Sequence, residues 1–227
     1  MRLVDSGIIE PELAPIIDDA ILNALVKHLI PTTLHLYRRE KVVSIGYSQT
    51  LDCLNLEFCK KNNIKIVRRN SGGGAIYVDE KQLTYSIAFE SNLGVEEVFK
   101  FICSCIIEVL NILGVSAVYK PKNDVLVNNK KISGSAQIRK GKALLQHGTL
   151  IIELDREMMF GALNTQKKEV TSLKEVMGRE PNMDEVKNAI IVGFEKRFNE
   201  KIIPGKLTDW ERNEITSHTK LNNVDEY

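Results

Sequence analysis

Two stretches of this chain hold residue types that could do chemistry together. The first, Val67 to Tyr77, reads VRRNSGGGAIY. Gly72, Gly73 and Gly74 leave three successive backbone positions without a Cβ, open to φ > 0 and to a ligand lying against main-chain N–H groups. Arg68 and Arg69 put positive charge beside those donors, so the concavity suits a phosphate or carboxylate. The same letters would also make a glycine-rich hairpin turn with solvated arginines. The second stretch, Lys130 to Gln137, reads KKISGSAQ. Strand alternation would set Lys131, Ser133, Ser135 and Gln137 on one face, with Ile132, Ala136 and Ile138 on the other. Lys131 is then a mobile point charge for an oxyanion, and Gly134 removes bulk where a ligand passes. An edge strand carrying an ordinary solvent lysine fits as well, and Lys130 points away toward solvent. Just upstream, Asn123 and Asp124 offer a carboxylate that could hold Mg²⁺. Downstream, His147, Gly148 and Thr149 fall inside a long strand, where the histidine is either a packed core residue or part of a site.

The elements that must position these groups follow from periodicity. Glu12 to His28 has helical spacing of Leu13, Ile16, Ile17, Ala20, Ile21, Ala24 and Leu25, with Pro15 in the first turn. Two β-rich runs follow, Thr32 to Tyr37 and Lys41 to Tyr47, with Arg38, Arg39 and Glu40 as a polar turn between them. Gly46 there permits close backbone approach. Leu51 to Asn62 reads as a helix and Ile64 to Arg69 as a strand entering the glycines. Ala75 to Asp79 and Gln82 to Phe89 read as strands joined at Glu80 and Lys81. Val95 to Leu113 is a strongly amphipathic helix stopped by Gly114. Beyond it come strands at Val115 to Tyr119, Asp124 to Val127, Lys130 to Arg139 and Lys142 to Leu154. Helices follow at Arg156 to Leu163 and Met183 to Phe198.

Composition narrows the class. With 227 residues, 43% hydrophobic and 27% charged, the chain can bury one large core. A net charge of +1 gives no global field for nucleic acid or membrane, so any anion site must be local. The four cysteines, Cys53, Cys59, Cys103 and Cys105, have neither zinc spacing nor a secreted disulfide framework. They read as reduced packing residues. The first residues lack a cationic region followed by an apolar run, and no apolar stretch reaches the roughly 18 residues of a membrane span. The expectation is a cytoplasmic protein.

In order and spacing, RRNSGGGAIYVD, LTYS, PKNDVLV, KKISGSAQ and LQHGTL resemble the lipoate–protein ligases of the biotin/lipoate ligase superfamily, from about Leu34 to Phe198. The resemblance implies an α/β fold with a large mixed, mostly antiparallel sheet flanked by helices. It also implies ATP-dependent activation of lipoate to lipoyl-AMP and transfer to a lysine of an acceptor domain, of E2 type or glycine-cleavage H type. Under it, Arg69 and the backbone of Ser71, Gly72, Gly73, Gly74 and Ala75 line the adenylate pocket with Tyr77, and Lys131 contacts carboxylate and α-phosphate. Asn123 and Asp124 place Mg²⁺ and phosphates, Ser133, Gly134, Ser135 and Ala136 border the ligand, and His147, Gly148 and Thr149 line or support the site. Ile45 and Tyr47 are candidates for an apolar tunnel. Val78 stands where the family usually has histidine. The implied catalytic domain spans 1–204, with 205–227 a tail or short helix. Without a separate accessory domain, the chain resembles the large subunit of a two-chain ligase that needs a small partner.

Two other activities fit parts of the pattern. The lipoyl/octanoyl transferase branch moves the acyl group from a carrier-protein thioester through a cysteine, without ATP. No cysteine follows Cys105, so the sequence around Lys131 has none. A non-catalytic lipoyl or partner-binding module needs neither Lys131 nor the glycine loop. The biotin ligase branch usually carries a GRGR-type loop in place of RRNSGGG.

Overall fold

Alternating apolar residues build one long sheet, and helical spacing supplies the covers for both of its faces. The computed structural model describes residues 1–164 and 169–222. In chain order these form β1 (Arg2–Ile9), α1 (Leu13–Val26), β2 (Thr33–Arg39), β3 (Val42–Ile45), α2 (Leu56–Lys61), β4 (Lys65–Arg68), β5 (Ile76–Val78) and β6 (Gln82–Glu90). Then come α3 (Val95–Ile112), β7 (Val118–Lys120), β8 (Asp124–Val127), β9 (Lys130–Lys140), β10 (Ala143–Ile151), α4 (Arg156–Ala162), α5 (Leu173–Met177), α6 (Met183–Phe198), β11 (Ile203–Pro204) and α7 (Asp209–Asn222).

The large sheet has the order β11-β1-β2-β6-β10-β9-β8-β7, and a small one runs β4-β3-β5. In the large sheet β1 lies parallel to β2 and β11, and the remaining pairs are antiparallel. This is the mixed, mostly antiparallel α/β architecture expected from the motif order. On one face, Val98, Ile102, Ile106 and Val109 of α3 and Ile190 and Phe194 of α6 pack with Leu83, Ile87, Leu144 and Leu150 of the sheet. Alternation sends Leu145 and Ala143 of β10 to the other face, against Ile17, Ile21 and Leu25 of α1. Trp210 and Ile215 of α7 pack beside them, so 209–222 is a docked helix. The part of the expected tail at 223–227 lies outside the described residues. No helix among the described residues is long and apolar enough to cross a membrane.

Several local expectations change. β2 and β3 do not form a hairpin across Arg38 to Glu40, and β5 and β6 do not pair across Glu80 and Lys81. In each case the chain crosses between sheets, because β3 pairs with β4 and β5 while β2 and β6 pair with each other. Arg39 is therefore a buried strand residue and not a turn residue. The helix expected over Leu51 to Asn62 breaks into a single turn at Leu51–Cys53 and α2, because Leu54 bridges to Leu163 in extended conformation. Asn55 then caps α2 by accepting from Phe58 N at 3.1 Å. Strand β1 and helix α5 carry no strong periodic signal and were not expected.

Candidate active site

A cavity of about 560 Å³ opens on the α1 side of the large sheet, roofed by the glycine loop between β4 and β5. The chain folds the loop with its own arginines. Arg69 is buried and donates to Ser44 O at 2.8 Å, Gly72 O at 2.8 Å and Gly74 O at 2.9 Å. Arg68 donates to Gly46 O, Tyr47 O and Gln49 O at 3.0, 3.0 and 2.7 Å. Both guanidiniums thus hold backbone carbonyls, and Arg69 also lines the cavity. Gly46 is glycine because a Cβ there would overlap Gly73 O. Gly73 itself sits at φ +96, a conformation that favours glycine. Burial, and then the charge of Arg39, lower the Arg69 pKa to about 10.

Across the cavity, β9 carries Lys131. The expected alternation does not survive there. Val125 pairs with Ser133 but Leu126 pairs with Lys131, so Ile132 is an extra residue in a bulge. The bulge separates Lys131 from Ser133 and Gln137, neither of which lines the cavity. Ser133 is buried with its Oγ 3.5 Å from Tyr85 Oη, and Gln137 Nε2 donates to Val95 O of α3 at 2.9 Å. Gly134 and Ala136 line the cavity with Lys131, opposite Thr149 and His147 of β10. The lysine lies across Gly134, where a Cβ would overlap Lys131 Cε and Nζ, and pairs with Asp124 Oδ1 at 2.5 Å. Asn123 fixes the β8 end by donating to Ser135 O at 2.5 Å. Gly148 leaves the space that the Tyr85 hydroxyl fills.

Of the residues singled out in the sequence, Arg69, Gly73, Gly74, Ala75, Asn123, Asp124, Lys131, Gly134, Ser135, Ala136, His147, Gly148 and Thr149 line this cavity. Ser71, Gly72, Tyr77 and Ser133 do not. Tyr77 is buried in the small sheet and donates to Asp79 Oδ2 at 3.2 Å. Ile45 packs in the core under the small sheet and Tyr47 is exposed, so neither forms an apolar tunnel. Asp124 pairs with Lys131, and no group of three or more His, Cys, Asp or Glu residues that could hold a metal ion is found among the described residues.

Sequence reasoning missed Asp18, Tyr37 and Arg39, all of which line the cavity. His147 Nδ1 lies 2.9 Å from Asp18 Oδ2 and its Nε2 2.7 Å from Ser71 Oγ. Asp18 also meets His35 Nδ1 at 3.4 Å and accepts from Tyr37 Oη at 3.3 Å. Burial opposes ionisation of Asp18, and the hydrogen bonds and charges of His147 and His35 outweigh it, holding the carboxyl well below its usual range. Arg39 is 6% exposed, with its guanidinium 5.8 Å from the Tyr37 ring centre and no carboxylate partner among the described residues. None of the four cysteines lines the cavity. Cys103, distant in sequence, comes to Ser135 from α3. Burial pushes its thiol up to about 12 against the opposing Ser135 hydrogen bond.

Residues 11–195 match the lipoyl protein ligase A/B catalytic domain. Octanoyltransferase LipM of Clostridioides difficile is 30% identical, covering 93% of this chain and 92% of its own length. Lipoate-protein ligase LplJ of Bacillus subtilis is 34% identical, covering 75% of this chain and 53% of its own length. A bi-partite lipoate protein ligase from Thermoplasma acidophilum, described with its E2 lipoyl domain, aligns with a TM-score of 0.87 at 25% identity, covering 99% of this chain and 94% of that one. The expectation of an ATP-dependent ligase is corrected by these likenesses. The curated relatives matched over nearly their whole length are octanoyltransferases, which are transferases and not ligases.

Proposed function

The chain belongs to the lipoyl protein ligase A/B catalytic domain family, and from that premise we propose that it is an acyltransferase. It moves an octanoyl or lipoyl group from a carrier-protein thioester to the ε-amine of a lysine on a lipoyl acceptor domain, of E2 type or glycine-cleavage H type. The observation that carries this reading is the likeness to octanoyltransferases along almost the entire chain. The T. acidophilum ligase, described with an E2 lipoyl domain, supports that class of acceptor.

The cavity suits an acyl donor that arrives already activated. As an amine attacks a thioester, the carbonyl oxygen gains negative charge. Lys131 and Arg39 bring cations to the cavity and Gly73 and Gly74 bring backbone to it. No thiol lines the cavity, which favours direct transfer over a cysteine acyl-enzyme. This reaction calls for neither ATP nor Mg²⁺, and for no adenylating partner subunit.

The test is mass spectrometry of a lipoyl domain incubated with the purified chain and an octanoyl-carrier-protein thioester, or with octanoate, ATP and Mg²⁺. Acylation of the domain lysine from the thioester alone is expected. Acylation only in the ATP mixture would overturn the proposal.

A further inference from the structure

We propose that His147 is the base that takes the proton from the incoming acceptor lysine, positioned for that task by Asp18. The inference rests on the acyltransferase reading and adds to it a residue role.

A lysine ε-amine has an ordinary pKa of about 10.4, so near pH 7 on the order of one molecule in a thousand is the neutral nucleophile. The cavity must strip a proton from it, and its own cations Arg39, Arg69 and Lys131 disfavour an ammonium. Among the described residues lining the cavity the acids are Asp18 and Asp124, and Asp124 is paired to Lys131 at 2.5 Å. The remaining route to an anion runs through His147. Asp18, held ionised, only accepts, so the 2.9 Å contact places the proton of His147 on Nδ1. Nε2 then presents its lone pair to the Ser71 hydroxyl at 2.7 Å. That tautomer is competent as a base. The carboxylate also stabilises the imidazolium that forms.

In the step, the lysine ammonium enters the cavity that His147 lines, takes the place of Ser71 Oγ at His147 Nε2 and gives its proton to that nitrogen. The neutral amine attacks the thioester carbon, the C–N bond forms and the C–S bond breaks. The second amine proton goes to the departing thiolate, and His147 returns its own to solvent. His147 therefore acts on the reacting amine, while Asp18 is a positioning residue. The groups whose charge bears on His147 are Asp18 from α1, His35, Tyr37 and Arg39 from β2, Arg69 from the glycine loop, and Lys131 with Asp124 across the cavity.

The test is kcat/KM for octanoyl transfer from the carrier thioester to the lipoyl domain, measured from pH 6 to 9.5 for the wild type, His147→Gln and Asp18→Asn. Wild-type activity with a shallow profile is expected. His147→Gln should fall about 100-fold at pH 7 and then climb about tenfold per pH unit, because only the free amine reacts in it. Asp18→Asn should show the same steepening with a smaller loss. Variant profiles running parallel to the wild type would mean a purely structural role and would overturn the inference. If His147→Gln fails to fold, as read by its melting curve, the slope of Asp18→Asn decides. No wild-type product from the thioester would instead sink the acyltransferase reading, which keeps the two failures apart.

Discussion

Gly134 and Lys131 occupy one space: the lysine chain crosses the α-carbon of Gly134 where any side chain would overlap its Cε and Nζ. The same missing Cβ would stand 3.1 Å from Asp124 Oδ1. A small residue is thus a condition for the Lys131–Asp124 pair, and the glycine serves the lysine before it serves a ligand. Gly134→Ala should leave the fold intact and lower transfer on the order of 100-fold by displacing the ammonium from the developing oxyanion. In a Lys131→Ala background the same substitution should cost almost nothing more, since both remove one device. A double-mutant cycle on kcat/KM checks this. Additive losses would mean that Gly134 acts independently of Lys131.

Arg39 gives a second prediction, of opposite sign for stability and activity. A buried guanidinium with no carboxylate partner among the described residues destabilises the fold in the ligand-free protein. Arg39→Met keeps the length and removes the charge. Its melting temperature should rise by about 2–4 °C, equivalent to about 1 kcal/mol for a domain of this size, while the KM for the thioester donor increases. Calorimetry and steady-state kinetics read the two separately, and a fall in both would show that Arg39 is structural.

The helix α6 was legible in the sequence with its bounds, because Val186, Ile190 and Phe194 repeat at helical spacing after the capping Asn182. So was α3, and so were the glycine loop and the lysine motif as local patterns. What the sequence hid was long-range or phase-dependent. Asp18 and His147 are 129 positions apart, and nothing local marks Asp18 as more than one of two acids on a helix. The departure of β3 from β2 turns Arg39 from a turn residue into a cavity residue, and only strand pairing decides that. One inserted residue, Ile132, took Ser133 off the cavity face shared with Lys131, since a period of two has no memory across a bulge.

Cys103 separates direct transfer from a covalent route. Its thiol is buried and pushed up to about 12, so it is protonated and shielded at neutral pH. Cys103→Ala should cost about 1 kcal/mol of stability or less by leaving a small void under Ser135, with the transfer rate unchanged. Intact-mass spectra of the wild-type protein after incubation with the octanoyl donor should show no octanoyl adduct. An adduct that disappears in Cys103→Ala, together with loss of transfer, would establish an acyl-enzyme.

Asp18 sets the acid limit of stability. Its carboxyl is held well below the ordinary value of about 3.9, because the hydrogen bonds from His147 and His35 overcome the effect of burial. The unfolded chain therefore binds a proton in a range where the folded chain refuses it. This contribution is fully present above about pH 4 and is lost progressively as the pH falls below that value toward the depressed folded pKa. Denaturant midpoints followed from pH 7 down to pH 2 should fall steeply at the acid end for the wild type. Asp18→Asn, which cannot ionise, should be less stable at pH 7 and show a shallower acid limb, so the two curves converge at low pH. Parallel curves would mean that the buried carboxylate carries no net stability through its two histidines.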